Sequence, residues 1–314
     1  VKRVLLAAPR GYCAGVDRAV KIVERALENL GAPVYVRKEI VHNRHVVSEL
    51  AERGAIFVDS ENDVPEGAVC IFSAHGVSPE VRRIAEERRL KVIDATCPLV
   101  TKVHLEAKRF ARAGRRIVLV GHEGHEEIEG TAGEAPASTS VIESIEQIDE
   151  LGMSQHEPVA YLTQTTLSMD DTRDVVEALR ARFADIAGPH SDDICYATQN
   201  RQVAIKVIAP ASDVVLIVGA VNSSNSNRMV EVARKAGTPA YLVPDETHLS
   251  EDWLEGAEVV GVSSGASAPE VLVERLLERL AQLGYAEVET TEVTSEDVTF
   301  SLPPWLREDG GSGV

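Results

Sequence analysis

Cysteine is scarce in this chain, and so are aromatic residues and long apolar runs. Four cysteines in 314 residues are too few for a disulfide scaffold, and their spacing fits neither a zinc ribbon nor a ferredoxin signature. The longest strongly apolar stretch, from Val214 to Val221, falls far short of the roughly 20 residues that a membrane helix needs. Positive charge is also in short supply: 32 Lys and Arg stand against 50 Asp and Glu, for a net charge of -18. Basic residues mostly alternate with acidic ones, as in 82–89, and no basic stripe carries interleaved aromatics. Nucleic acid is therefore not an expected partner, and the acidity favours solubility. A Walker phosphate-binding run is missing as well. The N-terminus starts directly on a strand pattern, so a cytoplasmic location is expected.

What is present is apolar residue in the right amount and order for a large core. At 44% apolar content the chain can bury a core, and its length suggests two or three domains. Short, wholly apolar runs read as parallel strands covered on both faces: Val4 to Ala8, Val34 to Val41, Ala55 to Val58, Val69 to Ser73, Val92 to Asp94 and Ile117 to Val120. Val159 to Leu162, Val214 to Val218, Ala240 to Val243 and Val259 to Val262 continue the series. Helical spacing follows, as in Val16, Ala19, Val20, Val23, Ala26, Leu27 and Leu30, with Gly31 as a stop. The alternation predicts an α/β fold with mainly parallel sheets.

Three of the cysteines fall where a strand gives way to a helix: Cys13 in GYCAG, Cys97 in DATCP and Cys195 in DDICYAT. A helix N-terminus favours thiolate over thiol through the macrodipole and exposed N–H groups, by about 0.3 to 1 kcal/mol when exposed and up to about 2 when partly buried. Three thiolates from equivalent positions can hold an iron-sulfur cluster by three corners and leave one iron open. Each cysteine taken singly could equally be a buried structural thiol. Cys70, inside the apolar run AVCIF, suits a buried strand.

The remaining polar residues of interest gather in loops after strands, where open parallel sheets bind ligands. His75 beside Gly76 and His125 beside Gly124 are ligand candidates because glycine lets backbone approach a ligand closely, and His42 joins them ahead of Asn43-Arg44. His122 reads as shaping its turn, and His45, His104, His156, His190 and His248 as structural or exposed. The loops containing Ser223, Ser224 and Asn225, and Ser267 before Pro269, combine hydroxyls, an amide and a helix start that suit a diphosphate. Such loops are also ordinary turns. Glu127, among small and apolar neighbours, is a candidate proton carrier.

Taken in order, these motifs resemble the LytB-type iron-sulfur reductases of 4-hydroxy-3-methylbut-2-enyl diphosphate in the non-mevalonate isoprenoid pathway. The resemblance runs from Val4 to the Phe300–Pro303 stretch and rests on GYCAGVDRA at 11–19, HNR at 42–44, SAHGV at 73–77 and DATCPLV at 94–100. GHEGH at 121–125, TQTTLS at 163–168, CYAT at 195–198 and SSNS at 223–226 complete it. It implies three small α/β domains in a pseudo-threefold trefoil around a central cluster. The expected divisions are 14–96, 97–193, 194–285 together with 1–13, and a C-terminal tail at 286–314, its end from Glu308 disordered.

The resemblance also implies roles. Cys13, Cys97 and Cys195 ligate a 4Fe-4S cluster; His42, His75, His125, Ser223, Ser224, Asn225 and Ser267 hold the diphosphate; Thr165 and Glu127 lie near the substrate hydroxyl. The implied reaction removes that hydroxyl with two electrons and two protons, giving isopentenyl and dimethylallyl diphosphates, with a ferredoxin or flavodoxin type protein as electron donor. An iron-sulfur hydro-lyase acting on a small diphosphate, which needs no reductant, and a non-catalytic iron-sulfur sensor, which needs neither Glu127 nor Thr165, remain the alternatives.

Overall fold

The computed structural model describes residues 2–307, so the stretch from Glu308 lies outside the described residues. From the N-terminus the elements are β1 (Arg3–Ala8), α1 (Ala14–Leu30), β2 (Val34–Arg37), α2 (Arg44–Glu52), β3 (Ala55–Val58), β4 (Val69–Phe72), α3 (Pro79–Glu87) and β5 (Lys91–Asp94). The middle contributes α4 (Pro98–Arg112), β6 (Arg116–Val120), α5 (Glu126–Gly133), β7 (Thr139–Ile142), β8 (Val159–Thr163), α6 (Met169–Arg182) and β9 (Ile186–Ala187). Last come α7 (Tyr196–Ile208), β10 (Val214–Val218), α8 (Ser224–Lys235), β11 (Ala240–Val243), β12 (Val259–Ser264), α9 (Glu270–Gln282) and β13 (Glu287–Glu292).

These strands form three sheets in which the recorded pairings are all parallel, so the expected α/β class holds. The sheet orders are β3-β2-β4-β5, β7-β6-β8-β9 and β11-β10-β12-β1-β13. The chain divides into two compact units. One gathers the N-terminal residues through Ala14, His42–Arg44 and Cys195–Val298, and holds the five-stranded sheet. The other gathers Gly15–Val41, His45–Ile194 and the residues from Thr299, and holds both four-stranded sheets.

Continuous apolar runs become strands because successive side chains leave opposite faces of a sheet, and here both faces are covered. In β10, Val214, Leu216 and Val218 pack with Leu272, Leu276 and Leu280 of α9. Val215 and Ile217 pack on the other side with Ile205 and Ile208 of α7 and Met229 of α8. The same division recurs in β6, where Val118 and Val120 join Val175 and Leu179 of α6, and Ile117 and Leu119 join Val103, Ala107 and Phe110 of α4.

Two differences from the sequence reading have a physical cause. The run expected as a strand from Val34 to Val41 stops at Arg37, since Lys38 takes a left-handed φ of 57° and donates its N–H to Val58 O. His42 accordingly lies in a loop, five residues beyond the strand's end. Strands β7, β9 and β13 were not legible, and each is a sheet edge. An edge strand has less to bury, and the sequence of β13, EVETTE, is mostly exposed. It nevertheless pairs in register with β1, from Arg3 opposite Glu287 to Ala8 opposite Glu292, within the stretch expected as a tail.

Candidate active site

Each expected site residue follows the carboxyl end of a strand, where a parallel sheet turns its loops and helix N-termini to one side. In the unit holding the four-stranded sheets, the loop after β4 carries His75, the one after β5 carries Cys97, the one after β6 carries His125 and Glu127, and the one after β8 carries Thr165. Cys97 caps the N-terminus of α4, with Pro98 in the first helical turn, and its own N–H donates to Ala74 O at 3.0 Å. That bond ties the cysteine to the neighbour of His75. Thr96 is held in turn by Asp94, whose Oδ1 accepts from Thr96 N at 2.9 Å.

His125 caps α5, and its Nδ1 accepts from Glu127 N at 3.1 Å. In the neutral ring this leaves the proton on Nε2. The rings of His75 and His125 meet edge to face with centroids 5.7 Å apart. His75 Nδ1 lies 3.4 Å from Ser73 Oγ and 3.5 Å from a Glu126 carboxylate oxygen, which also accepts from Ser73 Oγ. Gly76, at φ 81°, and Gly130 both back onto the buried His104 ring, where an added Cβ would stand 3.2 Å from it. His104 is held from its other side by Glu134 at 2.9 Å. This histidine, expected to be structural or exposed, is a buried prop beneath the His75 loop.

Glu127 is buried, and its two carboxylate oxygens accept from Thr165 N at 2.6 Å and Thr165 Oγ1 at 3.0 Å. Those bonds and the nearby His104 favour the charged form, yet burial outweighs them and pushes the carboxyl up to about 7. A carboxylic acid titrating there is half protonated near neutral pH, which is what a proton donor needs. His122 sits half-exposed, its N–H donating to Gln164 Oε1 at 3.0 Å, consistent with a turn-shaping role.

In the unit holding the five-stranded sheet, Cys13 immediately precedes α1, after β1, and Cys195 caps α7, eight residues after β9. Cys195 Sγ accepts from Thr198 N at 3.4 Å and lies 3.2 Å from Thr198 Oγ1. A short polar chain runs from there: Thr198 Oγ1 accepts from Asn225 Nδ2 at 3.3 Å, Asn225 Oδ1 accepts from Ala266 N at 3.0 Å, and Ala266 O accepts from Cys13 N at 3.3 Å. Asn225 and Ala266 thereby join the two cysteine loops to the Ser/Asn loops. Ser223 caps α8 and accepts from Ser226 N and Oγ, so that Ser224 and Asn225 occupy the first helical turn. Ser267 Oγ donates to His42 O at 2.9 Å, and Asn222 Nδ2 approaches His42 Nδ1 at 3.5 Å. This unit thus gathers Cys13, Cys195, His42, Ser223, Ser224, Asn225 and Ser267, and the other gathers Cys97, His75, His125, Glu127 and Thr165.

The thiols fit a cluster by their chemistry. Cys13, Cys97 and Cys195 are half-buried at helix starts, and among the described residues no two cysteines form a disulfide. Cys70 differs: it is wholly buried in β4, and burial, with the Glu61 charge, pushes its thiol up to about 12. It remains a protonated, packed thiol. Three further residues carried no sequence signal of their own. Tyr196 accepts from Ala14 N at 3.1 Å beside Cys13, and Asp193 accepts from Thr163 N at 3.0 Å. Lys102 of α4 reaches Asp193 at 3.1 Å. Burial raises the Asp193 carboxyl to about 6 despite that lysine. Among the described residues no helix is long and apolar enough to cross a membrane.

Comparison with known proteins identifies the family. A family model described as LytB protein matches residues 4–281. A 4-hydroxy-3-methylbut-2-enyl diphosphate reductase of Corynebacterium diphtheriae is 61% identical over 308 residues, covering 98% of this chain and 92% of that protein. The protein of the same description from Leifsonia xyli is 59% identical over 309 residues, with the same coverage. Among solved structures, the E-1-hydroxy-2-methyl-but-2-enyl-4-diphosphate reductase of Plasmodium falciparum superposes with a TM-score of 0.94 at 37% identity, over 97% of this chain and 96% of that one.

Proposed function

The chain belongs to the LytB protein family, and on that premise we propose how its residues divide the work of reducing 4-hydroxy-3-methylbut-2-enyl diphosphate. It is an oxidoreductase of the non-mevalonate route to isoprenoids, in an iron-sulfur-dependent family, acting on a small diphosphate. Cys13, Cys97 and Cys195 hold a 4Fe-4S cluster by three corners, each from a helix start, in a chain read as three α/β segments: 14–96, 97–193, and 194–285 with 1–13. When bound, the cluster supplies electrons one at a time and a Lewis-acidic iron for the substrate hydroxyl. What supports these ligands is the placement of all three half-buried thiols at helix N-termini, with Thr198 N–H donating to one sulfur.

His42, His75, His125, Ser223, Ser224, Asn225 and Ser267 take the diphosphate, replacing its hydration with ring N–H, hydroxyl, amide and helix N-terminal donors. The Nδ1 of His125 accepts from Glu127 N, so in the neutral ring Nε2 is the nitrogen that carries the proton. Glu127 carries the proton and Thr165 passes it on: the hydroxyl departs as water once protonated, and a second proton at either end of the allylic fragment gives isopentenyl or dimethylallyl diphosphate. Two electrons and two protons balance that loss of water. The single observation that carries the acid assignment is the buried Glu127 carboxyl, poised near 7 and held from both oxygens by Thr165. A sensor without chemistry has no use for it, and a hydro-lyase would turn over without reductant. A ferredoxin or flavodoxin type donor and a cytoplasmic setting belong to the same reading.

Anaerobic reconstitution of single-cysteine variants tests the ligand set. Cys97→Ser is expected to lose the visible and paramagnetic signature of the cluster, whereas Cys70→Ser keeps it. A full cluster signal in Cys97→Ser, or its loss in a folded Cys70→Ser, would overturn the assignment. Turnover with reductant withheld separates reductase from hydro-lyase.

A further inference from the structure

Arg201 is the largest fully buried side chain among the described residues, and the proposed reaction makes no use of it. It lies on α7, the helix capped by Cys195. Its guanidinium donates from Nη1 to Ala197 O at 3.0 Å and to Glu296 Oε1 at 2.9 Å. From Nη2 it donates to Gly11 O at 2.6 Å and toward Glu296 Oε2 at 3.4 Å. Asn200 Nδ2 donates to Glu296 Oε1 at 3.0 Å. Taking a charged pair out of water costs several kcal/mol per ion, and apolar side chains of similar volume often hold a helix against a sheet as well or better. What a methionine could not supply is direction: the planar fork fixes several acceptors at once.

The acceptor that matters is Gly11 O. Gly11 precedes Cys13 by two residues and takes a φ of 67°, with an added Cβ meeting Ala268 O at 3.4 Å, so the backbone there is turned and closely backed. Arg201 therefore links the loop that presents Cys13 to the helix that presents Cys195. Ala14 N–H, donating to Tyr196 Oη at 3.1 Å, makes a second link between the same two elements. Glu296 comes from the irregular segment that follows β13, the edge strand paired with β1.

We propose that Arg201, clamped by Glu296, is a positioning residue that presets the spacing of Cys13 and Cys195 before the cluster is assembled, and that the segment after β13 closes the clamp. The inference rests on the reading of Cys13 and Cys195 as ligands. A preset pair of thiols loses less freedom on capturing iron, and loss of outer partners typically costs about 10- to 100-fold in metal affinity.

The test uses the full chain as Glu296→Ala and Arg201→Met, each checked for native circular dichroism. In cluster-free protein, kept anaerobic, iodoacetamide labelling is followed by peptide mass spectrometry. Cys13 is expected to react several-fold faster in both variants while Cys97 keeps its rate. In reconstituted protein, a chelator is expected to strip iron about tenfold faster than from the unaltered chain. Folded variants with unchanged Cys13 labelling and unchanged iron loss overturn the inference. Should Arg201→Met fail to fold, Glu296→Ala, at a half-buried position outside the helices and strands, still decides it. Full cluster content in Cys13→Ser would instead overturn the ligand reading beneath it, which separates the two failures.

Discussion

Replacing Glu127 by glutamine removes a titrating proton and little else, because an amide oxygen can still accept from Thr165 N and its NH2 can donate to Thr165 Oγ1. The magnitude follows from the carboxyl's shift, from an ordinary 4.5 to about 7 in the folded chain, which makes the ionised form cost about 3 kcal/mol of stability. The sign is set by the raised value. Below the ordinary value the group is protonated whether folded or not, and no cost arises. As pH climbs toward about 7 the unfolded chain sheds the proton while the folded chain keeps it, and above that the full cost is present. Glutamine carries no such term. Denaturant melts of matched cluster-free preparations should therefore show Glu127→Gln gaining stability relative to the unaltered chain between about pH 5 and about pH 8, by about 3 kcal/mol at most.

Turnover should move the other way. Loss of a positioned acid typically costs on the order of 10²- to 10⁴-fold, and diphosphate affinity and cluster content should stay near their unaltered values. The unaltered enzyme should also lose activity as pH rises through about 7, since the protonated carboxyl is the active form. Parallel stability profiles together with turnover within about twofold of the unaltered enzyme would refute both the burial argument and the acid role. Parallel profiles with lost turnover would refute only the first.

Other expectations follow from the same geometry. Asn225→Ala severs Thr198 from Ala266 and should raise KM for the diphosphate roughly tenfold to 100-fold, from about 1–3 kcal/mol per stranded buried group; steady-state kinetics showing an unchanged KM would remove Asn225 from the site. Lys102→Met leaves Asp193 buried beside Thr163 N alone and should cost about 3 kcal/mol at neutral pH. That cost should shrink below about 6, where Asp193 is already protonated; melts with no pH dependence would count against the pair. Gly121→Ala would push a Cβ to 2.2 Å from Ile128 Cδ1 and 3.0 Å from Gln164 Cβ. A lowered melting temperature, equivalent to about 1–3 kcal/mol, is expected, and an unchanged one would mean that Ile128 yields freely.

The central strands were legible because a strand covered on both faces must be apolar throughout, as β10 is. The edge strands β7, β9 and β13 were not, because an edge needs no such run; β13 reads as an acidic tail and still pairs with β1. Burial of Cys70 and the helix-start positions of Cys97 and Cys195 were legible for the same local reason, a single strand or a single turn being enough to specify them.

By itself the sequence determined which residue types stand after which strands: thiols, histidines and hydroxyls at the starts of helices, in an order that marks the family. It could not say that Glu127 is buried against Thr165, 38 positions away, because desolvation is a property of everything packed around a carboxyl and not of its neighbours in the chain. Nor could it set Arg201 beneath Gly11 and against Glu296, a clamp whose three parts meet only once α7, β1 and the segment after β13 are in place. Local chemistry is written residue by residue. Acidity, tautomer and the positioning of a ligand loop come from long-range contacts, and those only the tertiary structure decides.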